Sequence, residues 1–207
     1  IMPSLVGSEM CIRDSIRSAV LEGINILKAR SILTAQLDAE ILMAKSLDTN
    51  REYIILNNDK NLEDKDLKNF LSLIKKRASR KPIAYLVNKK YFWKNEFYVN
   101  KNTLIPRPDT ELIVEQVLNL TKNKNKYSIL DIGVGSGCIL LSILKERKNF
   151  YGTGIDICKN SLNICKMNAK KLLLERRIKL YKSDVDKFAQ GKYDLIVSNP
   201  PYIKRSD

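Results

Sequence analysis

The stretch DLIVSNPPYI ends an apolar run with four residues that could bind a planar nitrogen: Asn199, Pro200, Pro201 and Tyr202. Prolines lack an N–H and stiffen the backbone, so the Asn199 amide oxygen and the Pro200 carbonyl are left as acceptors that point the same way. Two acceptors that converge on an NH2 group, beside an aromatic ring, can hold a flat amide or amine. We therefore expect substrate binding and catalysis here. A rigid strand-to-loop turn is the alternative explanation.

A glycine-rich turn stands in LDIGVGSGC, directly after an apolar run. Glycine lets the chain bend sharply and lets a ligand approach the backbone, and the N–H groups that start the next helix then face that ligand. The GxGxG spacing differs from the GxGxxG of dinucleotide-binding enzymes. Asp131, two residues before the first glycine, suits a cationic ligand such as S-adenosylmethionine better than a pyrophosphate. A dinucleotide site and a purely structural turn are the alternatives.

Two aspartates follow the next apolar runs. Asp156 in GTGIDIC lies about twenty residues after the glycines, where a carboxylate can accept both ribose hydroxyls of a nucleoside. It could instead cap the helix that follows. Asp184 in YKSDVDKF is placed where an adenine amino group could be recognised, although a surface turn explains it equally well.

The hydrophobic pattern predicts the elements that position these residues. Residues 15–90 show helical stripes, formed by Val20, Ile24 and Leu27, by Leu37, Ile41 and Ala44, and by Leu67, Phe70, Leu71 and Ile74. We expect Thr34 and Asn50 (or Thr49) to cap helices and Pro82 to end the last one. The sequence therefore begins with a small α-helical bundle.

After the helical bundle the spacing of the apolar residues along the sequence changes. Residues 91–106 alternate apolar and polar side chains and predict a β-hairpin linker. Apolar runs at 127–132, 150–155, 178–181 and 193–197 are separated by helical or turn segments, which implies a parallel sheet. The predicted fold is α/β, with the sheet domain at 107–207. Ending the sheet after four strands would leave an uncovered edge, so we expect more strands beyond Asp207.

Composition narrows the class of protein. The chain has 207 residues, 44% apolar and 29% charged, which is typical of a core-forming protein. Residues 1–14 lack lysine and helical periodicity and look like translated adapter sequence, so we exclude them from the fold. No run is long enough to span a bilayer and no signal peptide is recognisable, which favours the cytoplasm. Four cysteines without a CxxC pair, and no histidine, make a metal site improbable.

The formal net charge of +14 has two interpretations. It could attract an acidic or nucleic-acid partner. Alternatively, it reflects a composition rich in lysine, asparagine and isoleucine throughout, because the lysines are dispersed. Without a compact basic patch interleaved with aromatic residues, we do not expect direct nucleic-acid binding.

Five stretches together resemble the release factor glutamine methyltransferases: KPIAYLVNKKYFW, LIPRPDTELIVE, LDIGVGSGCILLSIL, GIDICKNSLNICKMNA and DLIVSNPPYI. The resemblance runs in order from about residue 15 to Asp207. The NPPY motif alone is shared with DNA adenine and some RNA guanine methyltransferases, and LIPRPDTE before the glycine turn favours the release factor branch. The family's chain continues past this C-terminus. The resemblance thus implies a Rossmann-like class I methyltransferase sheet, incomplete at the C-terminus, behind a helical substrate-recognition domain at 15–90.

The resemblance also implies roles for individual residues. S-adenosylmethionine would be bound by Gly133, Val134, Gly135, Ser136, Gly137, Asp156, Asp184, Val185 and Asn199. The glutamine of the release factor's Gly-Gly-Gln loop would be received by Asn199, Pro200, Pro201 and Tyr202. Arg107, Asp109 and Glu111 match the family's segment near the cofactor, although helix capping and a surface pair explain them equally well. The helical domain would contact the release factor.

Two other functions are compatible with the motifs. The first is a nucleic-acid amino methyltransferase acting on adenine or guanine, which predicts a separate target-recognition domain or a stripe of arginines. The second is a non-catalytic nucleotide-binding fragment. Methyl transfer from labelled cofactor to a release factor, and not to DNA or RNA, would discriminate between them.

Overall fold

The computed structural model describes residues 15–123 and 125–200. The predicted leader 1–14, and the predicted substrate residues Pro201 and Tyr202, lie outside the described residues. The chain forms two compact units, one up to Val87 and the other from Asn88. Each unit has its own apolar core.

The first unit is helical. Its helices are α1 (Ile16–Lys28), α2 (Ala35–Ser46), α3 (Arg51–Leu56), α4 (Asp64–Ala78) and α5 (Ile83–Val87). Ser15 and Ser18 form a reciprocal cap at the start of α1, and the Asn50 side chain caps α3 by accepting the N–H of Tyr53. The cap predicted at Asn50 is thereby confirmed. The core of this unit includes Leu27, Leu42, Met43, Phe70 and Ile74.

Three details of this unit differ from the sequence-based expectation. Leu37 is exposed, and α2 instead buries Ala39, Leu42 and Met43 along with other residues, because this helix carries apolar side chains on most of its circumference. The Thr34 hydroxyl makes no cap and donates to the Asp38 carboxylate at 3.0 Å. Pro82 does not end α4, which stops at Ala78; it stands directly before α5 instead.

The second unit begins with an antiparallel hairpin of β1 (Lys89–Phe92) and β2 (Asn95–Tyr98). A 3-10 turn (Pro108–Thr110) then leads into α6 (Glu111–Leu120). Helix α6 buries Val114 and Val117 against the core of the unit.

The α/β part consists of β3 (Ser128–Ile132), α7 (Cys138–Glu146), β4 (Tyr151–Asp156), α8 (Lys159–Lys171), β5 (Ile178–Lys182) and β6 (Leu195–Ser198). All strand pairs are parallel, in the order β5-β4-β3-β6. The predicted α/β fold with a parallel sheet is confirmed. The chain moves outward from β3 to β5 and then returns to the other side of β3 for β6. Ligands bind at such a reversal, beyond the carboxyl ends of the strands.

Within the described residues, no helix combines the length and apolar character needed to cross a membrane.

Candidate functional site

A cavity of about 440 Å³ lies at the carboxyl ends of β3, β4 and β6. Small-molecule sites typically measure roughly 300–1,000 Å³, so its size suits a ligand of nucleoside dimensions. The cavity brings together residues that are far apart in the sequence. Of the residues predicted from the sequence, it is lined by Gly133, Gly135, Asp156, Asp184, Val185, Asn199 and Pro200.

The glycine turn is fastened to the neighbouring strand β4. The N–H groups of Gly133 and Val134 both donate to the Ile155 carbonyl at 2.9 Å, and the N–H of Gly135 donates to Asp156 Oδ2 at 3.0 Å. These three N–H groups are bonded within the protein, so what Gly133 and Gly135 offer a ligand is a close approach to the backbone. The expectation that the N–H groups at the start of α7 face the ligand stays a prediction.

Gly137 directly precedes α7, and its lack of a side chain allows α7 and α8 to pack closely around it. Its φ of +80° is in the left-handed region, and an added Cβ would stand 2.6 Å from Cys165 Sγ and 2.9 Å from Leu141 Cδ1. Val134 and Ser136 are buried. None of these three predicted cofactor residues is among those that line the cavity.

Asp156 is held in one orientation by two backbone groups. Its Oδ2 accepts the N–H of Gly135, and its Oδ1 accepts the N–H of Cys158 at 2.8 Å. A carboxylate oxygen can accept more than one hydrogen bond, so both oxygens can still accept a hydroxyl from the cavity. The carboxylate is therefore positioned for a vicinal diol, and it also braces the glycine turn.

Three apolar side chains on the cavity wall are unusually exposed. Leu104, Ile157 and Val185 are 53%, 70% and 48% exposed, although each is large and hydrophobic. Exposed apolar groups that line one cavity indicate a binding surface for an apolar or aromatic group. With Asp184 next to Val185, they form a wall suited to a planar base that carries an amino group.

Asn199 directly follows β6. The hydroxyl of the preceding Ser198 donates to the Ile132 carbonyl at 2.9 Å, which fastens this end of β6 to β3. The Asn199 side-chain nitrogen donates to Thr110 Oγ1 at 3.1 Å. The side chain is therefore anchored to the segment in front of α6, and the residue lines the cavity.

The segment in front of α6 contains Arg107, Asp109 and Glu111, for which the sequence left two explanations open. Arg107 and Asp109 are exposed. Glu111 accepts the backbone N–H of Trp93 at 2.6 Å, which joins the start of α6 to the turn of the hairpin. The residue that reaches the cavity region is Thr110, through its contact with Asn199, and the sequence analysis did not single it out.

The sequence analysis also missed two polar residues on the buried face of α8. The Ser161 hydroxyl donates to the Asn102 carbonyl at 2.7 Å. The Asn168 side chain accepts the N–H of Tyr98 and donates to the carbonyls of Tyr98 and Ser136. Seven residues apart, they share the face that also buries Cys165. Polar residues on an apolar helix face were the available signal.

Two family models match the chain: the PrmC N-terminal domain over residues 18–87 and the methyltransferase small domain over residues 108–207. The release factor glutamine methyltransferase of Shewanella oneidensis is 36% identical over 98% of this chain and 68% of its own length. That of Leptospira interrogans is 38% identical over 94% of this chain and 69% of its own length. The chain belongs to the release factor glutamine methyltransferase family.

The resemblance found in the sequence is thereby confirmed, and the chain spans about two thirds of the length of these two relatives. A solved S-adenosylmethionine-dependent methyltransferase from Geobacter sulfurreducens, in complex with S-adenosyl-L-homocysteine, matches 42% of this chain and 35% of its own at 20% identity and a TM-score of 0.38. That match is too partial to support a conclusion. Within the described part of the chain, no group of three or more His, Cys, Asp or Glu side chains could hold a metal ion.

In this member of the release factor glutamine methyltransferase family, the aspartate before the glycine turn is buried. Asp131 is 1% exposed, does not line the cavity, and has no described partner for its Oδ1. Burial is the main cause that raises its pKa to about 7; a hydrogen bond from the Leu140 backbone lowers the pKa, and the nearby Asp156 carboxylate contributes to raising it. The expectation that Asp131 would face a cationic ligand is therefore wrong for this structure.

The buried Asp131 carboxyl group should make the free energy of unfolding depend on pH. The folded protein keeps the Asp131 proton up to about pH 7, whereas the unfolded chain releases it near pH 3.8. Rising pH therefore favours the unfolded state between these values, by up to about 4 kcal/mol at 1.36 kcal/mol per pH unit. We expect Asp131→Asn to abolish this loss. The stability advantage of the variant should grow from pH 5 to pH 7.5 and then level off.

The measurement is urea unfolding followed by the fluorescence of Trp93, the single tryptophan, which reports on the second unit. Taking the difference between wild type and variant at each pH cancels the other titrating groups. If the free energies of unfolding of wild type and Asp131→Asn differed by the same amount at every pH in this range, the pKa of Asp131 would not be raised by folding.

Proposed function

We propose that this protein transfers the methyl group of S-adenosylmethionine to the side-chain amide nitrogen of the glutamine in the Gly-Gly-Gln motif of peptide chain release factors. The observation that carries the proposal is that Asn199 and Pro200 line the same cavity as Asp156 and the glycine turn. Acceptors for a substrate NH2 group therefore lie beside groups suited to a nucleoside cofactor.

The cavity has the chemistry that the cofactor requires. Asp156 would accept the ribose hydroxyls, the wall of Leu104, Ile157 and Val185 would contact the adenine, and Asp184 would accept from its amino group. Gly133 and Gly135 would admit the methionine part close to the backbone. When bound, the cofactor supplies a methyl group on a positively charged sulfur, which is an electrophile.

The residues of this protein have to overcome the poor nucleophilicity of an amide. The nitrogen lone pair is delocalised into the carbonyl, and the resonance shows as a rotation barrier of about 18–20 kcal/mol. If Asn199 Oδ1 and the Pro200 carbonyl each accept one N–H, the nitrogen is fixed and its lone pair can turn toward the methyl carbon. Alignment of this kind contributes up to roughly 7–11 kcal/mol.

The transfer needs no general base beforehand. The bound cofactor would supply the methyl group and would keep the electrons of the C–S bond as a neutral thioether, so the substrate nitrogen would need only its own lone pair to form the N–C bond. The methylated nitrogen then carries the positive charge and releases one of its protons to solvent. Asn199 and Pro200 act by accepting hydrogen bonds that strengthen as this charge develops.

The proposed substrate is a protein, and the helical unit has surface features that suit one. Leu21, Ile55 and Leu56 are 53%, 48% and 82% exposed, and the first two line a groove of about 200 Å³. Exposed apolar side chains of this kind mark interaction sites, and nucleic-acid interfaces are more polar and more positively charged than protein interfaces. We propose that the helical unit helps to recognise the release factor. Because release factors act on ribosomes, the reaction would take place in the cytoplasm.

Incubation with methyl-labelled S-adenosylmethionine tests the function. We expect label in a purified release factor, at the glutamine of its Gly-Gly-Gln motif, as located by peptide mass spectrometry. A release factor with alanine in place of that glutamine should take up no label, which controls for methylation elsewhere.

Parallel reactions with DNA and RNA address the runner-up function. Label in an adenine or guanine amino group, with none in the release factor, would replace the proposal with a nucleic-acid amino methyltransferase. Cofactor binding without transfer to any of these substrates would favour a non-catalytic nucleotide-binding protein.

A further inference from the structure

Thr110 accepts a hydrogen bond from the proposed catalytic residue Asn199, which is distant from it in the sequence. The Asn199 side-chain nitrogen donates to its hydroxyl at 3.1 Å across 89 residues of sequence. Thr110 is itself 8% exposed and is not among the residues that line the cavity. The amide nitrogen is therefore turned toward the protein interior.

The position of Thr110 is fixed from both sides. Its backbone N–H donates to the Arg107 carbonyl at 3.1 Å within the 3-10 turn. The next residue, Glu111, accepts the N–H of Trp93 in the hairpin turn at 2.6 Å. The Thr110 hydroxyl is thus positioned by the backbone hydrogen bond of Thr110 and by the hydrogen bond between Glu111 and Trp93.

The direction of this bond matters for the chemistry. The two polar atoms of a planar amide occupy separate branches, so placing the nitrogen on Thr110 sets the oxygen on the other branch. In the reversed orientation the Asn199 NH2 group would meet the NH2 group of a substrate amide, and two donors cannot bond to each other. A hydroxyl can accept or donate a hydrogen bond, so Thr110 anchors the amide atom that faces it; in the structure that atom is the Asn199 nitrogen, and a valine side chain of the same shape would anchor neither amide atom.

We infer that Thr110 is a positioning residue that orients the Asn199 amide so that its oxygen, and not its nitrogen, is presented to the substrate. The inference rests on the proposed function for its consequence in catalysis. It rests on the hydrogen bond alone for its consequence in the structure.

The matched variants are Thr110→Val, which keeps the shape and removes the hydroxyl, and Thr110→Ser, which keeps the hydroxyl. Misplacing a reacting group by about 1 Å can cost roughly 100-fold, and one hydrogen bond contributes roughly 2- to 10-fold. We therefore expect Thr110→Val to lower kcat for release factor methylation about 10- to 100-fold. The KM for S-adenosylmethionine should change less than about twofold, because the cofactor-facing residues are untouched, and Thr110→Ser should restore most of kcat.

A double-mutant cycle separates orientation from general damage. If Thr110 acts through Asn199, Thr110→Val should cost little further activity once Asn199 is alanine. An equal loss in both backgrounds would show that Thr110 acts through packing and would overturn the inference. So would a Thr110→Val enzyme with the kcat of the wild type.

A second readout does not depend on the substrate. With ¹⁵N-labelled asparagine, the side-chain NH2 signals of Asn199 are assigned by their loss in Asn199→Ala. Thr110→Val should shift these signals and speed their exchange with water, whereas Thr110→Ser should leave them near their wild-type positions. Unchanged signals in Thr110→Val would overturn the inference even if the wild type methylates a release factor. Absent methylation by the wild type would instead count against the proposed function.

Discussion

Replacing Asn199 by alanine is expected to lower kcat for methyl transfer by about 10²- to 10³-fold, the usual cost of removing one hydrogen-bonding group aligned with the reacting atoms. The variant loses the oxygen that would accept one N–H of the substrate amide. Its affinity for S-adenosylmethionine should fall only a few-fold, because Asp156, Leu104 and Val185 keep their places on the cavity wall. Single-turnover transfer of labelled methyl and calorimetric titration of the cofactor measure the two quantities separately.

The matched control is Asn119→Ala, which removes the same side chain from an exposed position near the end of α6. It should leave both kcat and cofactor affinity unchanged. If Asn199→Ala turned over at nearly the wild-type rate, the proposed hydrogen bond from the substrate nitrogen to Asn199 would be wrong. If cofactor binding disappeared with activity, Asn199 would act mainly on the cofactor.

The sheet was predictable because its strands are short apolar runs with clear ends. The run at 127–132 became β3 (Ser128–Ile132), and the run at 150–155 became β4 (Tyr151–Asp156), each within about a residue of its expected bounds. Buried parallel strands are apolar along their whole length, so the pattern that identifies them is local. The sequence analysis gave no strand order; the order β5-β4-β3-β6 comes from the structure.

The helical unit was less predictable, because its helices are buried to different depths. α2 buries Leu42 and Met43 and leaves Leu37 exposed, so the predicted i, i+4, i+7 stripe is fully buried only at Ala44. Thr34 has the residue type of a cap, but the neighbouring Asp38 accepts its hydroxyl and also receives Arg77 at 2.6 Å. A tertiary ion pair of this kind leaves no local signal.

The site was predictable to the extent that its residues end strands. The family resemblance implied that Asp156 and Asn199 share one site, and both line the cavity, because they stand at the carboxyl ends of parallel strands, which meet at one edge of the sheet. Thr110, Ser161 and Asn168 were missed because their partners lie 89, 59 and 70 residues away. A threonine or asparagine within a helical stretch looks unremarkable until the fold brings a backbone group or an amide to it.

Asn168→Leu is expected to have the largest effect on stability. The Asn168 side chain is 1% exposed and bonds three backbone groups: it accepts from the N–H of Tyr98 at 2.7 Å and donates to the Tyr98 carbonyl at 3.0 Å and the Ser136 carbonyl at 2.9 Å. Leucine has a similar size but leaves all three groups without their partner. At roughly 1–3 kcal/mol for each of the three buried groups left unpaired, the second unit should lose at least about 3 kcal/mol. Cofactor affinity should also fall, because these bonds join the glycine turn to the chain that leads into Asn102–Leu104 on the cavity wall.

Urea unfolding followed through Trp93 fluorescence measures the loss in the unit that contains the substitution. Asn163→Leu is the matched control, since it makes the same exchange on the exposed side of α8 and should change stability by less than about 0.5 kcal/mol. An Asn168→Leu protein as stable as this control would mean that water or a local shift satisfies the three backbone groups. A variant that is destabilised but binds S-adenosylmethionine with wild-type affinity at low temperature would limit Asn168 to folding. Weakened binding below the unfolding transition would show that the hydrogen bonds of Asn168 also shape the cofactor cavity.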